Sequence, residues 1–252
     1  MKTVCVHSYK GGTGKTTFLL NIAGILANTK KKVLAVDYDL RAPSFQSYFK
    51  LENPSYFSNY LLEETLLSNI ILPCKAKEDI QLDLIFSSME FLKQHSKQRD
   101  ALSRDDAKFL SKLYGLQQFA SKNYDYLLLD TIPGFFYRSI DAMMVADVIF
   151  VVATPSTSNL LGIQELCQNI YSMLREDAKM ILLINKIEVE GEESEKEIFE
   201  KNLVELKKIG KKNFDDTIEI PYFKILSERI HAFESEPHKK FLKFIDNLIK
   251  LI

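Results

Sequence analysis

The stretch Lys10-Gly11-Gly12-Thr13-Gly14-Lys15-Thr16-Thr17 constrains this chain more than any other. It stands between an apolar run, Thr3–Ser8, and a segment with helical periodicity, Phe18–Ala27. Strand, glycine-rich loop and helix, in that order, form the context a phosphate-binding loop requires. The glycines let successive backbone N–H groups curl around a phosphate, and the helix N-terminus adds partial positive charge at the same point. The pattern assigns Lys15 to the β- and γ-phosphates and the Thr16 hydroxyl to Mg²⁺. Gly11, Gly12, Thr13, Gly14 and Thr17 complete the predicted nucleotide-binding loop.

The remaining apolar runs extend this start into a layered α/β fold. Strands are expected at 33–39, 82–86, 124–130, 148–153 and 180–186, with a last short one at 218–221. Runs this continuously apolar are buried on both faces, as in a parallel sheet covered by helices. Helices are expected within 88–122, over about 159–175, over 201–212, and at the amphipathic C-terminus. The region 42–80 reads as short helices and turns, and 188–200 as a solvated acidic loop leading into a helix. The fold class is therefore α/β, a doubly wound, mostly parallel sheet flanked by helices. No linker or repeat interrupts it, so residues 1–252 read as one domain.

Composition narrows the setting. Hydrophobic residues make up 46% of the chain, enough for a sizeable core, and no 18-residue apolar run is present to cross a membrane. A strand at the very start leaves no room for a signal peptide, so a cytoplasmic location is expected. Cys5, Cys74 and Cys167 are scattered, which points to a reducing compartment and away from a zinc or iron–sulfur site. The net charge of −1 carries no general basic signal for nucleic acid.

Acids at strand ends complete the predicted site, because ligands of open α/β sheets bind at the carboxyl ends of the strands. Asp130 follows four apolar residues and is expected to hold Mg²⁺, with Asp37 supporting the same shell or the loop beyond Asp130. Asp39 is placed to orient the water that attacks the γ-phosphate. Gly134 can offer its N–H to that phosphate, making 131–138 a nucleotide-sensing switch. Asn185-Lys186 ends the sixth strand, where an Asn amide can read adenine, and Pro221 onward is expected to wall the base pocket.

With these residues the sequence resembles the ParA/MinD family of deviant Walker A ATPases. The sharpest mark is Lys10, the extra lysine before the two glycines. Val36-Asp37-Tyr38-Asp39, Leu129–Gly134, Asn185-Lys186 and Ile220-Pro221-Tyr222 support it. The resemblance implies ATP and Mg²⁺ as cofactors and a homodimer that forms on ATP. It implies that Lys10 acts across the dimer, making Lys10, Lys15 and Asp39 the catalytic set. It also implies a hydrolysis-stimulating, ParB-like partner protein. Asp39-Leu40-Arg41-Ala42-Pro43-Ser44 departs from the form common in plasmid partition ATPases and is nearer that of bacterial tyrosine kinases. Those kinases usually lack the Lys10 equivalent and carry a tyrosine-rich tail that is absent here.

Two branches of the family remain open. ParA-like members bind non-specific DNA and would be nucleoid-associated; MinD-like members bind membrane through a C-terminal amphipathic helix. Residues 201–252 hold 11 Lys and Arg against 8 acids, and the rest of the chain 22 against 26. That asymmetry suits a basic face for DNA. Phe241, Phe244, Ile245, Leu248 and Leu251, opposite Lys240, Lys243 and Lys250, suit either a membrane-surface helix or a helix packed on the sheet. The docked arrangement, and with it the DNA branch, is the expectation.

Overall fold

The computed structural model describes residues 1–49, 54–74, 80–88, 106–174, 176–187, 193–223, 244–245 and 247–252. An eight-stranded sheet organises them. Its strands are β1 (Lys2–His7), β2 (Val33–Asp37), β3 (Ile71–Pro73), β4 (Leu82–Ile85), β5 (Tyr126–Asp130), β6 (Val148–Ala153), β7 (Lys179–Ile187) and β8 (Asp216–Pro221). They lie in the order β3-β4-β2-β5-β1-β6-β7-β8. Every pairing is parallel except β3 with β4.

Strand β1 sits centrally, between β5 and β6. The chain leaves it toward β2 on one side and later builds β6, β7 and β8 on the other. The strand order thus reverses at β1, and the loop after it opens into the crevice at the carboxyl ends of the strands. Register fixes what meets there. Asp37, the last residue of β2, is the partner of Asp130, the last of β5, and Asp130 in turn lies opposite Val6 of β1.

Side-chain alternation divides the core between the two faces. Helix α1 (Lys15–Asn28) packs on one face, with Phe18, Leu19, Ile22 and Leu26 against Val4, Val6 and Phe150. The opposite face carries α2 (Phe57–Leu61), α3 (Asp106–Asn123), α4 (Tyr137–Met144), α5 (Thr157–Glu165) and Leu206 of α6 (Glu193–Asn213). Helix α1 is buried nearly all round, from Phe18 to Ala27, which explains its apolar sequence. Helix α6 places Glu193 and Glu195 in its first turn and Lys211 and Lys212 in its last, in accord with the helix dipole.

Three elements depart from expectation. The edge strand β3 was not anticipated, since three residues ending in Pro73 carry too short a pattern, and Pro is tolerated only at such an edge. Helix α4 begins at Tyr137, so the end of the expected 131–138 switch is helical. The helix expected over 159–175 is α5, which runs into a π-helical turn at Leu166–Ile170 and a 3₁₀ turn at Tyr171–Met173. At the C-terminus, residues 244–245 and 247–249 are helical, and Ile245 and Leu248 are buried in the α1-side core. Phe241, Lys240 and Lys243 lie outside the described residues.

Candidate functional site

A cleft of about 410 Å³ opens where the topology reverses. Gly11, Gly12, Thr13, Gly14, Lys15, Thr16 and Thr17 form one wall, with Asp39, Asn185 and Lys186 around them. Gly14 caps α1 in the left-handed conformation, φ 95°. A Cβ there would also stand 2.5 Å from Asn185 Nδ2, so both backbone angle and space demand glycine. The first N–H groups of α1 have no intrahelical acceptor and face the cleft as anion donors.

Beneath the loop lies a buried charge cluster. Lys15 Nζ donates to Asp130 Oδ1 at 2.6 Å, with Lys15 7% and Asp130 0% exposed. Thr16 Oγ1 donates to Asp130 Oδ2 at 2.6 Å and accepts from Ser44 Oγ at 3.1 Å. Asp37 Oδ2 accepts the backbone N–H groups of Ser44 and Phe45 at 2.8 and 3.0 Å. Burial, then the neighbouring Asp130 carboxylate, push the Asp37 carboxyl well above the ordinary carboxylate range. Its Oδ1 is buried with no hydrogen-bond partner. An orphaned carboxylate oxygen, a second carboxylate and a threonine hydroxyl in one cluster are the donor set of a hard, oxygen-bound cation. Asp37, Asp130 and Thr16 therefore fit Mg²⁺. No group of three acids, histidines or cysteines among the described residues forms a metal cage by itself. Mg²⁺ at this site would share its shell with phosphate oxygens.

Asp39 lines the cleft and accepts the N–H groups of Arg41 and Ala42 on Oδ1, at 3.0 and 2.8 Å. Burial raises its pKa against those two bonds and Lys15. Asn185 Nδ2 donates to Thr13 O at 2.7 Å, and Lys186 Nζ donates to Gly12 O at 2.7 Å. The pair expected to read the base thus also braces the phosphate loop.

Lys10 is exposed and has no ion-pair partner among the described residues; only its carbonyl is held, by Ser8 Oγ at 2.9 Å. Two expectations are corrected. The Gly134 N–H is engaged by Ser8 O at 2.9 Å and is not free for a phosphate in this conformation. Of the wall expected from Pro221 onward, Tyr222 and Phe223 line the cleft together with Ile220, while Pro221 itself is exposed and does not.

Sequence reasoning missed Ser44, which braces both Thr16 and Asp37, and Tyr48, whose hydroxyl lies 3.4 Å from Thr17 Oγ1. Ser44 closes the Asp39–Ser44 stretch, which by itself assigns it no contact, and Tyr48 belongs to no motif. His7 was also missed: its Nδ1 is 3.0 Å from Thr131 Oγ1, while Nε2 is buried without a partner. Burial, then Lys15, pull its pKa down to about 3, so the ring is neutral.

The sequence model described as an AAA domain matches residues 1–184. The virulence plasmid ParA family protein pGP5-D of Chlamydia psittaci is 34% identical over 168 residues, covering 66% of this chain and 62% of that protein. Its counterpart in Chlamydia trachomatis is 30% identical over 185 residues, covering 72% and 67%. The chain thus spans a little under two thirds of the first relative and two thirds of the second. Among solved structures, a putative plasmid partition protein from Borrelia burgdorferi bound to AMPPNP has a TM-score of 0.74 at 24% identity, covering 99% of this chain and 97% of that one. The cell division ATPase MinD of Pyrococcus furiosus has a TM-score of 0.69 at 19% identity, covering 100% and 99%. At those identities the likeness is one of fold.

Proposed function

The chain belongs to the ParA/MinD family of P-loop ATPases, and on that premise we propose that it is a Mg-ATP-dependent, dimerising ATPase of the ParA type. In this reading it acts in DNA partitioning through ATP-dependent, non-specific DNA binding, and a ParB-like partner stimulates hydrolysis. The observation that carries it is the contrast between two lysines in one loop. Lys15 is buried on Asp130, whereas Lys10 is exposed and has no ion-pair partner among the described residues.

That contrast divides the work. Lys15 exchanges its carboxylate partner for the β- and γ-phosphates, and Asp130, Thr16 and Asp37 are left to hold Mg²⁺. Held there, Mg²⁺ would supply charge neutralisation to the phosphate oxygens. Asp39, fixed by the Arg41 and Ala42 N–H groups, orients the attacking water. Lys10, exposed and with no ion-pair partner among the described residues of its own subunit, reaches the phosphates of a second subunit and makes hydrolysis conditional on dimerisation. Asn185 and the walls at Ile220 and Tyr222 receive the base.

For DNA, Lys201, Lys211 and Lys212 of α6 take no acidic partner among the described residues, whereas Lys207 and Lys208 pair with Glu219 and Glu205. Lys224, Arg229, Lys239, Lys240 and Lys243 lie outside the described residues. The alternative is a MinD-type ATPase recruited to membrane by the C-terminal helix. No described helix is long and apolar enough to cross a membrane, and the burial of Ile245 and Leu248 supports a docked end.

The test compares ATP, ADP and no nucleotide for binding of an Asp39→Ala variant to non-specific duplex DNA and to anionic liposomes. ATP-dependent DNA binding that weakens steeply with salt is the expected result. Liposome binding that requires ATP and residues 240–252 would establish the alternative instead.

A further inference from the structure

Residue 9, immediately before the exposed lysine, is held by side-chain packing that no phosphate-loop motif requires. A Cβ built on Gly162 would fall inside the Tyr9 ring, against Cγ, Cδ1 and Cδ2. The ring therefore lies directly on the backbone of α5, in a notch only glycine leaves open. Its other neighbour is Phe135, with ring centroids 5.5 Å apart and planes at 48°. Phe135 also meets His7, at 5.8 Å. The backbone is tied at the same level by Gly134 N–H to Ser8 O, and by Ser8 Oγ to Lys10 O, both at 2.9 Å. Residues 7–9 are thus held by packing and hydrogen bonds, with Tyr9 partly buried, and at Lys10 the backbone carbonyl is still tied while the side chain is exposed.

We propose that Tyr9 is a positioning residue for Lys10, its ring seated between Gly162 and Phe135 to set the direction in which the lysine leaves the loop. This rests on the reading of Lys10 as a cation delivered to a partner subunit. An exposed lysine delivered across an interface has many rotamers, and fixing the backbone from which it springs reduces the orientations it must lose. Because Phe135 belongs to the loop after Asp130, the same contact ties the direction of Lys10 to the conformation of residues 131–136.

The test uses Tyr9→Ala, Tyr9→Phe, Gly162→Ala and Lys10→Ala in the full chain, following Mg-ATP binding, steady-state turnover and thermal melting. Tyr9→Ala and Gly162→Ala are expected to lower kcat by about tenfold while the Kd for Mg-ATP stays within about threefold, the split of an interaction used after binding. Tyr9→Phe, which keeps the ring, is expected to restore turnover. Because a Cβ at Gly162 collides with the ring, Gly162→Ala is expected to lower the melting temperature, so turnover of every variant is read well below its melting transition, where a fall in kcat of the fully folded protein separates positioning from unfolding. Turnover within twofold of the parent in Tyr9→Ala, or parallel loss of ATP binding and turnover, would overturn the proposal. Lys10→Ala distinguishes the two levels. If it retains turnover, the trans-acting lysine itself fails; if it loses turnover and Tyr9→Ala does not, only the positioning role fails.

Discussion

Lys15 and Asp130 form a buried ion pair, Nζ to Oδ1 at 2.6 Å, and Asp130 spends its second oxygen on Thr16 at 2.6 Å. The carboxylate assigned to the metal shell therefore holds the loop's lysine and threonine together. Under the proposed function, nucleotide binding exchanges these contacts, which would link folding stability to site chemistry.

Lys15→Ala should cost stability as well as binding. It leaves the Asp130 carboxylate buried without its cation, a change that destabilises by about 3 kcal/mol. Lys10→Ala, at an exposed position without an ion-pair partner among the described residues, should stay within about 0.5 kcal/mol of the parent. Chemical denaturation without nucleotide measures both. ATP titration should show Mg-ATP binding lost in Lys15→Ala and largely kept in Lys10→Ala. Equal loss in the two would remove the division of labour between them.

The brace from β7 predicts that Asn185→Ala weakens nucleotide binding before any contact with the base is considered. Losing the bond to Thr13 O, at a net of about 1 kcal/mol, corresponds to roughly fivefold in affinity. Gly14→Ala should be worse, because its Cβ meets Asn185 and its φ is positive. Combining Gly14→Ala with Asn185→Ala relieves the collision and leaves the backbone strain, so only partial recovery is expected. Fluorescent-nucleotide titration of the three variants checks the order.

The proposed function adds to the turn bonds that Asp39 accepts a second duty, water orientation, and a pair of substitutions can separate the two. Asp39→Asn keeps an oxygen for the Arg41 and Ala42 N–H groups; Asp39→Ala removes it. Both variants should bind Mg-ATP and release little phosphate. Asp39→Ala should also melt lower, by an amount in keeping with about 1–2 kcal/mol for the lost turn bonds. Phosphate release near the parent rate in Asp39→Asn would exclude the carboxylate from water orientation.

His7 predicts a signed pH effect. Its pKa falls from 6.5 to about 3 on folding, so between those values the unfolded chain binds a proton that the native one does not. Its contribution to stability is complete above 6.5 and is lost as the pH falls toward 3, at about 1.4 kcal/mol per pH unit. His7→Asn, which can still bond Thr131, should flatten the stability profile by one proton across that window. The raised Asp37 carboxyl acts with the opposite sign at and above its ordinary range, but the parent and the variant share it. Denaturation at intervals through the window would reveal an unchanged slope if His7 were not buried neutral.

Leu248 is 2% exposed in the α1-side core, and Leu248→Ala should destabilise by about 2–4 kcal/mol. A helix waiting for a membrane would tolerate the change, losing liposome binding and no stability. Thermal melting and liposome flotation of the same variant distinguish the two.

What the sequence determined alone is the class of fold and the place of the loop. The spacing from Lys10 to Thr17, between an apolar strand and a helix, marked a glycine loop of the phosphate-binding kind, and long apolar runs such as Val148–Ala153 marked buried strands. Asp37 and Asp130 were also legible, because acids ending such runs fall at one edge of the sheet. Tertiary structure decided the rest. The short strand Ile71–Pro73 exists because β4 offers it an edge, not because three residues prefer that state. Ser44 reaches Thr16, and Tyr9 reaches Gly162, across 28 and 153 positions of chain. Such contacts depend on where the sheet brings distant segments together, and neither a hydrophobic period nor a local propensity records that. The Gly134 N–H was assigned to a phosphate because it follows Asp130, yet the carbonyl of Ser8, delivered by the neighbouring strand, takes it first. Backbone donors near an active site go to the nearest acceptor, and only the folded chain establishes which acceptor that is.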